Sequence, residues 1–351
     1  MTYLCKDCWL AQDATKLLAR CKICDVNSGI RRLDPASEIA ARPGAGGNER
    51  PDPVCRIHRS EALDLFCGNC KQALSSRALL GERSVVAILG GVGSGKTSLL
   101  WVLRDRLRSS NGIPVRIRQT LGDTDEQLDE ADADLFKTGR ARATPATDAV
   151  TRNYAWELET TTRPRESALM AFHDAAGETW QKLEELPRDR NARFYRYLDL
   201  VEGIIFLIDG ERLMEPLTET DRIRRRRGAD TAAAQEIAIL DAIDRRLGAR
   251  AAEIPVAVTI SKADVLWNDE RWSSFRPDSG ASREMIAAAV RELLTVTGRD
   301  GIIDTLESVF NAVTYFALSA FGREVTAGQE LSVDDIEPAR VEEPLLSLIV
   351  E

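Results

Sequence analysis

Residues 84–100 read SVVAILGGVGSGKTSLL, and this stretch decides how the rest of the chain is read. The run SVVAILG (84–90) is the short, continuous apolar segment expected of a strand buried on both faces. It passes directly into Gly90-Gly91-Val92-Gly93-Ser94-Gly95-Lys96-Thr97, and then into the helical pattern SLLWVLRDRL. Strand, G-x-x-x-x-G-K-[ST] and helix in that order make a phosphate-binding loop. Glycines let the backbone curl so that its N–H groups face a phosphate, and the helix N-terminus adds a favourable dipole. The expected phosphate set is therefore Gly90, Gly93, Ser94, Gly95, Lys96, Thr97 and Ser98. Lys96 is expected to reach the β- and γ-phosphates, and the Thr97 hydroxyl to bind Mg²⁺.

Working outward, further apolar runs follow: ALMAFHD (168–174), GIIFLIDG (203–210), IPVAVTIS (254–261) and VTYFALSA (313–320). NYAWELET (153–160) alternates instead, which suits a strand with one wet face paired in a hairpin with ALMAFHD. Together they predict an α/β domain over residues 84–351 with a mainly parallel, six-stranded sheet wrapped by helices. The terminal PARVEEPLLSLIVE has helical spacing and is expected to lie on that sheet. Three polar motifs fall at carboxyl ends of strands, where open α/β sheets bind ligands. They are Asp174-Ala175-Ala176-Gly177, Ser261-Lys262-Ala263-Asp264 and Ser319-Ala320. Asp174 is placed to hold Mg²⁺ through water, and the Gly177 N–H to meet a γ-phosphate.

Taken in order, these motifs resemble those of the Ras-like GTPases of the translation-factor (TRAFAC) class. That resemblance implies GTP/GDP as ligand: Asp264 would accept both guanine N–H donors, Lys262 would lay its stem over the base, and Ala320 would offer its N–H to guanine O6. Adenine presents a donor where that N–H needs an acceptor. Ser261 stands where the class has Asn or Thr, and its shorter side chain supports the loop less. More narrowly, FHDAAGETW (172–180) and ARVEEPLLSLIVE (339–351) are similar to the bacterial double-GTPase branch, whose members often occur in conflict or signalling systems.

Catalysis is read from three further features. Glu178 follows the D-x-x-G where Ras-like enzymes commonly have Gln; a carboxylate accepts from water but cannot donate to phosphate, so slow intrinsic GTP hydrolysis is expected. The Mg²⁺-binding switch threonine precedes the strand that starts near Asn153; Thr147 is favoured, with Thr144 and Thr151 as the other choices. Arg140 and Arg142 precede them and would suit a cis arginine acting on the transition state, or a solvated loop balancing DTDEQLDEADAD (123–134). His173 beside Asp174 reads as a packed structural group, and RIRRRR (222–227) as a solvated face.

The 351 residues carry 47 Lys and Arg against 56 Asp and Glu, a net charge of −9, which argues against a chain-wide nucleic-acid surface. Residues 1–83 hold 13 basic and 10 acidic residues, so this region is +3 and the remainder −12. No apolar run reaches the roughly 20 residues that span a bilayer, and the expectation is a cytoplasmic protein without membrane contact. All seven cysteines precede residue 71. Cys5-x₂-Cys8 and Cys21-x₂-Cys24 have zinc-ribbon spacing, and Cys55-x₂-His58 and Cys67-x₂-Cys70 supply a Cys₃His set, so two structural Zn²⁺ are expected.

Sequential pairing of these ligands is favoured, with a crossed arrangement of Cys5, Cys8, Cys55 and His58 left open. The implied division is a zinc module at 1–26, a Gly/Pro-rich linker at 27–53 and a second module at 54–83. CRIHRSEALDLFCGNC (55–70) resembles the opening of a B-box zinc finger, which implies protein partners reached through the zinc modules and the switch regions. Two further functions stay open: a zinc-finger scaffold whose nucleotide domain scarcely hydrolyses, and a nucleic-acid-dependent NTPase.

Overall fold

A computed structural model describes residues 2–5, 7–24, 29–43, 49–58, 62–74, 83–109, 112–120, 124, 126, 128–129, 152–160, 167–174, 193–214, 232–325, 332 and 335–349. The N-terminal region begins with an antiparallel pair, β1 (Thr2–Cys5) and β2 (Leu10–Asp13). It continues through β3 (Leu18–Arg20), β4 (Arg31–Arg32), helix α1 (Pro35–Glu38), the paired β5 (Ile39–Pro43) and β6 (Glu49–Pro53), β7 (Asp64–Phe66) and β8 (Ala73–Leu74).

The expected separation into two modules and a linker does not describe this region. Strands from both stretches form one four-stranded sheet in the order β4-β3-β7-β8, over one core that includes Tyr3, Leu17, Ala19, Leu33 and Leu65. Described parts of the segment expected as linker are held inside the fold. Leu33 is buried and donates its N–H to the Leu17 carbonyl at 2.9 Å. Glu38 is fully buried and takes the Arg31 guanidinium through both carboxylate oxygens, at 2.8 and 2.5 Å. Pro43, Pro51 and Pro53 lie in the paired strands β5 and β6, and composition alone does not distinguish such a pair from a free linker.

The second region carries β9 (Arg83–Gly90), α2 (Lys96–Ser109), β10 (Val115–Thr120), β11 (Arg152–Thr160), β12 (Ser167–Asp174), α3 (Arg193–Leu198), β13 (Gly203–Asp209), α4 (Gly210–Met214) and α5 (Ala232–Leu247). It closes with β14 (Val256–Ser261), α6 (Arg283–Val296), α7 (Asp300–Val309), β15 (Val313–Ala317) and α8 (Glu343–Ile349). The sheet order is β10-β11-β12-β9-β13-β14-β15, parallel from β12 to β15 and antiparallel at β10 and β11.

All six expected strands are present. The seventh, β10, is an edge strand whose Arg116 faces Glu159 across the ladder and pairs with it. Its sequence, VRIRQT, alternates apolar residues with arginine, as an edge strand does when the solvent side is charged.

Alternation along the strands builds both faces of the sheet. Val85, Ala87 and Leu89 of β9 and Ile204, Phe206 and Ile208 of β13 enter one core. Val86 and Ile88, with Ile205 and Leu207, enter the other. Helix α8 packs on the second face, with Leu345 buried there. The zinc region joins the first core through Leu4 and Trp9, and the Trp9 ring meets that of Tyr197 in α3 at 5.9 Å between centroids.

Candidate nucleotide site and zinc centres

The phosphate loop leaves β9 at Gly90, where φ is +151°, and turns again at Gly93 and Gly95, where φ is +79° and +80°. A Cβ on Gly90 would lie 2.4 Å from the Leu207 carbonyl oxygen and 2.6 Å from Ser94 Oγ, so no other residue fits without moving the neighbouring strand. Lys96, buried in the first turn of α2, folds its ammonium onto the loop and donates to the Gly90 and Gly91 carbonyls at 3.0 and 2.9 Å. Thr97 and Ser98 follow in the same turn, half-buried. Asp174 ends β12 in register with Ile88 of β9, which sets its backbone beside the strand that carries the loop. Thr147, Gly177 and Glu178 lie outside the described residues, as do Thr144, Thr151, Arg140 and Arg142.

The two segments expected to read a base are tied together. The Ala263 N–H donates to the Leu318 carbonyl at 2.9 Å, and Ser319 Oγ donates to Asp264 Oδ1 at 2.5 Å while accepting from the Gly322 N–H at 2.8 Å. Burial raises the Asp264 carboxyl above its ordinary value, and the Ser319 hydrogen bond opposes that rise. Ala320 follows Ser319 immediately, where β15 has ended and the chain pairs with Ala339. Ser261 Oγ donates to the Ile208 carbonyl at 3.2 Å, so its hydroxyl serves the β13–β14 junction. Lys262 sits in the left-handed region, with φ +52°.

Sequence reasoning missed the acidic partners of Lys262. Its ammonium lies 2.9 Å from Asp209 Oδ2 and 2.9 Å from Glu211 Oε2. Burial lowers the Lys262 pKa, but the Asp209 charge, with hydrogen bonds to Asp209 and Glu211, outweighs it and leaves the value raised. The available signal was the end of GIIFLIDG, where a carboxylate closes an otherwise apolar strand. Behind these groups, buried Glu236 of α5 and Arg299 stand 3.6 Å apart.

Two four-ligand clusters form in the N-terminal unit with a pairing that differs from both arrangements expected. Cys5 and Cys8 meet Cys67 and Cys70, while Cys21 and Cys24 meet Cys55 and His58, each set with ligand atoms within 4.8 Å of one another. The outer ligand pairs close around the inner ones, a nested pattern. Cys5–Cys70, Cys8–Cys67 and Cys24–Cys55 sulfur separations are 3.6, 3.7 and 3.5 Å, and His58 Nδ1 lies 3.8 Å from the Cys21 and Cys55 sulfurs. A tetrahedron with Zn–S bonds of about 2.3 Å has an edge of about 3.8 Å, so both donor sets fit Zn²⁺. The cysteines form no disulfides.

Residues 84–321, more than half of the chain, match the model of the family described as Double-GTPase 2. Among solved structures, the chain is similar to the signal recognition particle receptor SRb-GTP/SRX complex from Chaetomium thermophilum. Identity there is 15%, over 70% of this chain and 94% of that one, with a TM-score of 0.35, a likeness too slight to add to the assignment. No curated protein matches. No helix among the described residues is long and apolar enough to cross a membrane.

Proposed function

Since the chain belongs to the Double-GTPase 2 family, a group of P-loop GTPases, we propose that it is a Mg²⁺-dependent GTP switch with slow intrinsic turnover, whose zinc unit recruits a protein partner in a conflict or signalling setting. The observation that carries the nucleotide reading is the shared edge of the sheet. The loop at Gly90–Lys96 and the Asp264–Ser319 pair both stand at carboxyl ends of parallel strands, one able to hold phosphates and the other to accept guanine N–H donors. Thr97 and Asp174 would hold Mg²⁺, together with Thr147 from the switch segment, and the ion would neutralise charge on the β- and γ-phosphates. Gly177 would offer its N–H to the γ-phosphate. Glu178 in place of Gln supports slow turnover, because a carboxylate adds negative charge beside anionic oxygens. Partner recruitment is supported by the zinc knuckles, which expose Ile23 and Ile57 beside Lys22 and Arg56.

Affinities for GTP, GDP and ATP in Mg²⁺, with phosphate release from GTP on the same sample, test the reading. We expect GTP and GDP to bind at least tenfold tighter than ATP, with release well below one per second. ATP binding as tight as GTP would overturn the guanine assignment, and release at several per second the slow-hydrolase assignment. Turnover stimulated by DNA or RNA would favour the nucleic-acid-dependent NTPase.

A further inference from the structure

We propose that Arg212 is a phosphate-contacting residue of this site, donating to the β,γ end of a bound nucleoside triphosphate; the inference rests on the GTP reading above. Arg212 lies in α4, which starts directly at the end of β13. The turn into α4 is tight: a Cβ on Gly210 would be 2.6 Å from the Ser261 carbonyl oxygen. The Arg212 guanidinium lies beside the loop that follows β9, the strand paired with β13. Its Nη2 lies 3.7 Å from the position a Cβ on Gly93 would take, and Nη1 lies 3.9 Å from that of Gly91. With glycine at both positions, neither loop residue puts a side chain between its backbone and the guanidinium; Gln235 Oε1 stands as near the Gly91 position, at 3.9 Å.

The guanidinium is held only loosely where it lies. Its one ion pair among the described residues is with Asp209 Oδ2 at 3.8 Å, beyond hydrogen-bond distance. That carboxylate has nearer partners in Lys262, at 2.9 Å, and the Glu211 N–H, at 3.1 Å. The Arg212 backbone is better fixed, since its carbonyl accepts from the buried Arg299 at 3.4 Å. An anchored main chain therefore carries a one-third-exposed side chain whose fork of donors has no hydrogen-bond partner among the described residues.

A planar guanidinium suits two phosphate oxygens at once, and it retains its charge at any physiological pH. The Lys96 ammonium rests on loop carbonyls and that of Lys262 on acidic side chains. Among the described cations of this cluster, Arg212 has the longest ion-pair distance. The position also differs from Arg140 and Arg142, the arginines expected from the sequence to act in cis.

The test compares the wild-type full chain with Arg212→Ala and Arg212→Lys, measuring affinity for GTP and GDP in Mg²⁺ and the single-turnover rate of GTP cleavage. Loss of a charge-assisted contact predicts GTP binding weakened about 10- to 100-fold in the alanine variant. GDP binding should change less than about threefold, and lysine, which keeps the charge but not the fork, should fall between. Cleavage by the alanine variant should slow in parallel. Equal weakening of GTP and GDP, or no change in either, overturns the inference while leaving the guanine reading intact. Failure of the wild-type chain to bind GTP overturns both. Thermal midpoints without nucleotide check that the variants fold. If the alanine variant does not, an unchanged GTP-to-GDP affinity ratio in the lysine variant overturns the proposal.

Discussion

At the scale of single residues, Glu236 shows how the site's electrostatics reach into the core. It is 4% exposed, and one of its carboxylate oxygens has no hydrogen-bond partner among the described residues. Burial raises its pKa from the ordinary 4.5 to about 7, with Asp209 adding to the rise while Arg299 and Arg212 oppose it. The folded protein thus holds this proton to higher pH than the unfolded chain does. The resulting stability is fully present below about pH 4.5 and is lost as pH rises through 7, by about 3 kcal/mol. Glu236→Gln cannot titrate, so its unfolding free energy should vary less between pH 5 and 7.5 than that of the wild type. Urea unfolding at the two pH values measures this; equal slopes would contradict it. The burial of Glu236 was not legible in TAAAQEIAILDAIDRRL, because a helical pattern assigns a face and leaves open what covers each polar position.

At the scale of elements, Trp9 and α3 join the zinc unit to the nucleotide domain. Trp9 follows Cys8 with φ +52°, its N–H bonded to the Cys5 carbonyl at 2.8 Å, so the first zinc knuckle itself aims the indole. The ring packs on Tyr197 in α3, the next described element after the D-x-x-G end of β12. Trp9→Ala should cost about 3 to 5 kcal/mol through the lost burial and the cavity left behind. Two zinc ions per chain should remain bound, since no ligand is removed. Denaturant titration with zinc analysis reads both quantities, and a loss of zinc or an unchanged stability would contradict the docking role. The burial of Trp9 was not legible in MTYLCKDCWL, because the surface it covers lies nearly two hundred residues away.

At the scale of the whole molecule, the nested ligand pairing joins the described residues of 2–74 into one unit closed by its two ends. A unit with so small a core is expected to need a metal for its fold. Chelation of zinc should therefore unfold it and expose Trp9, with a red shift in tryptophan emission. The pairing itself makes a sharper prediction. Cys5→Ser should lose one zinc and leave Cys8, Cys67 and Cys70 open to thiol labelling, while Cys21, Cys24 and Cys55 stay protected by the second ion. Labelling of Cys21 and Cys24 in that variant would restore the sequential arrangement.

What the sequence by itself determined is the local chemistry: the phosphate loop between strand and helix, the six core strands, the motif order at their carboxyl ends and the eight zinc ligands. These follow from spacing and periodicity, which act over a few residues and are written in one dimension. The tertiary structure alone decided which ligand pair meets which, whether residues 27–53 are linker or core, where β10 pairs, and which cations surround the loop. Each depends on contacts between segments far apart in the chain. The sum of packing, burial and charge selects those contacts, and no local pattern records it.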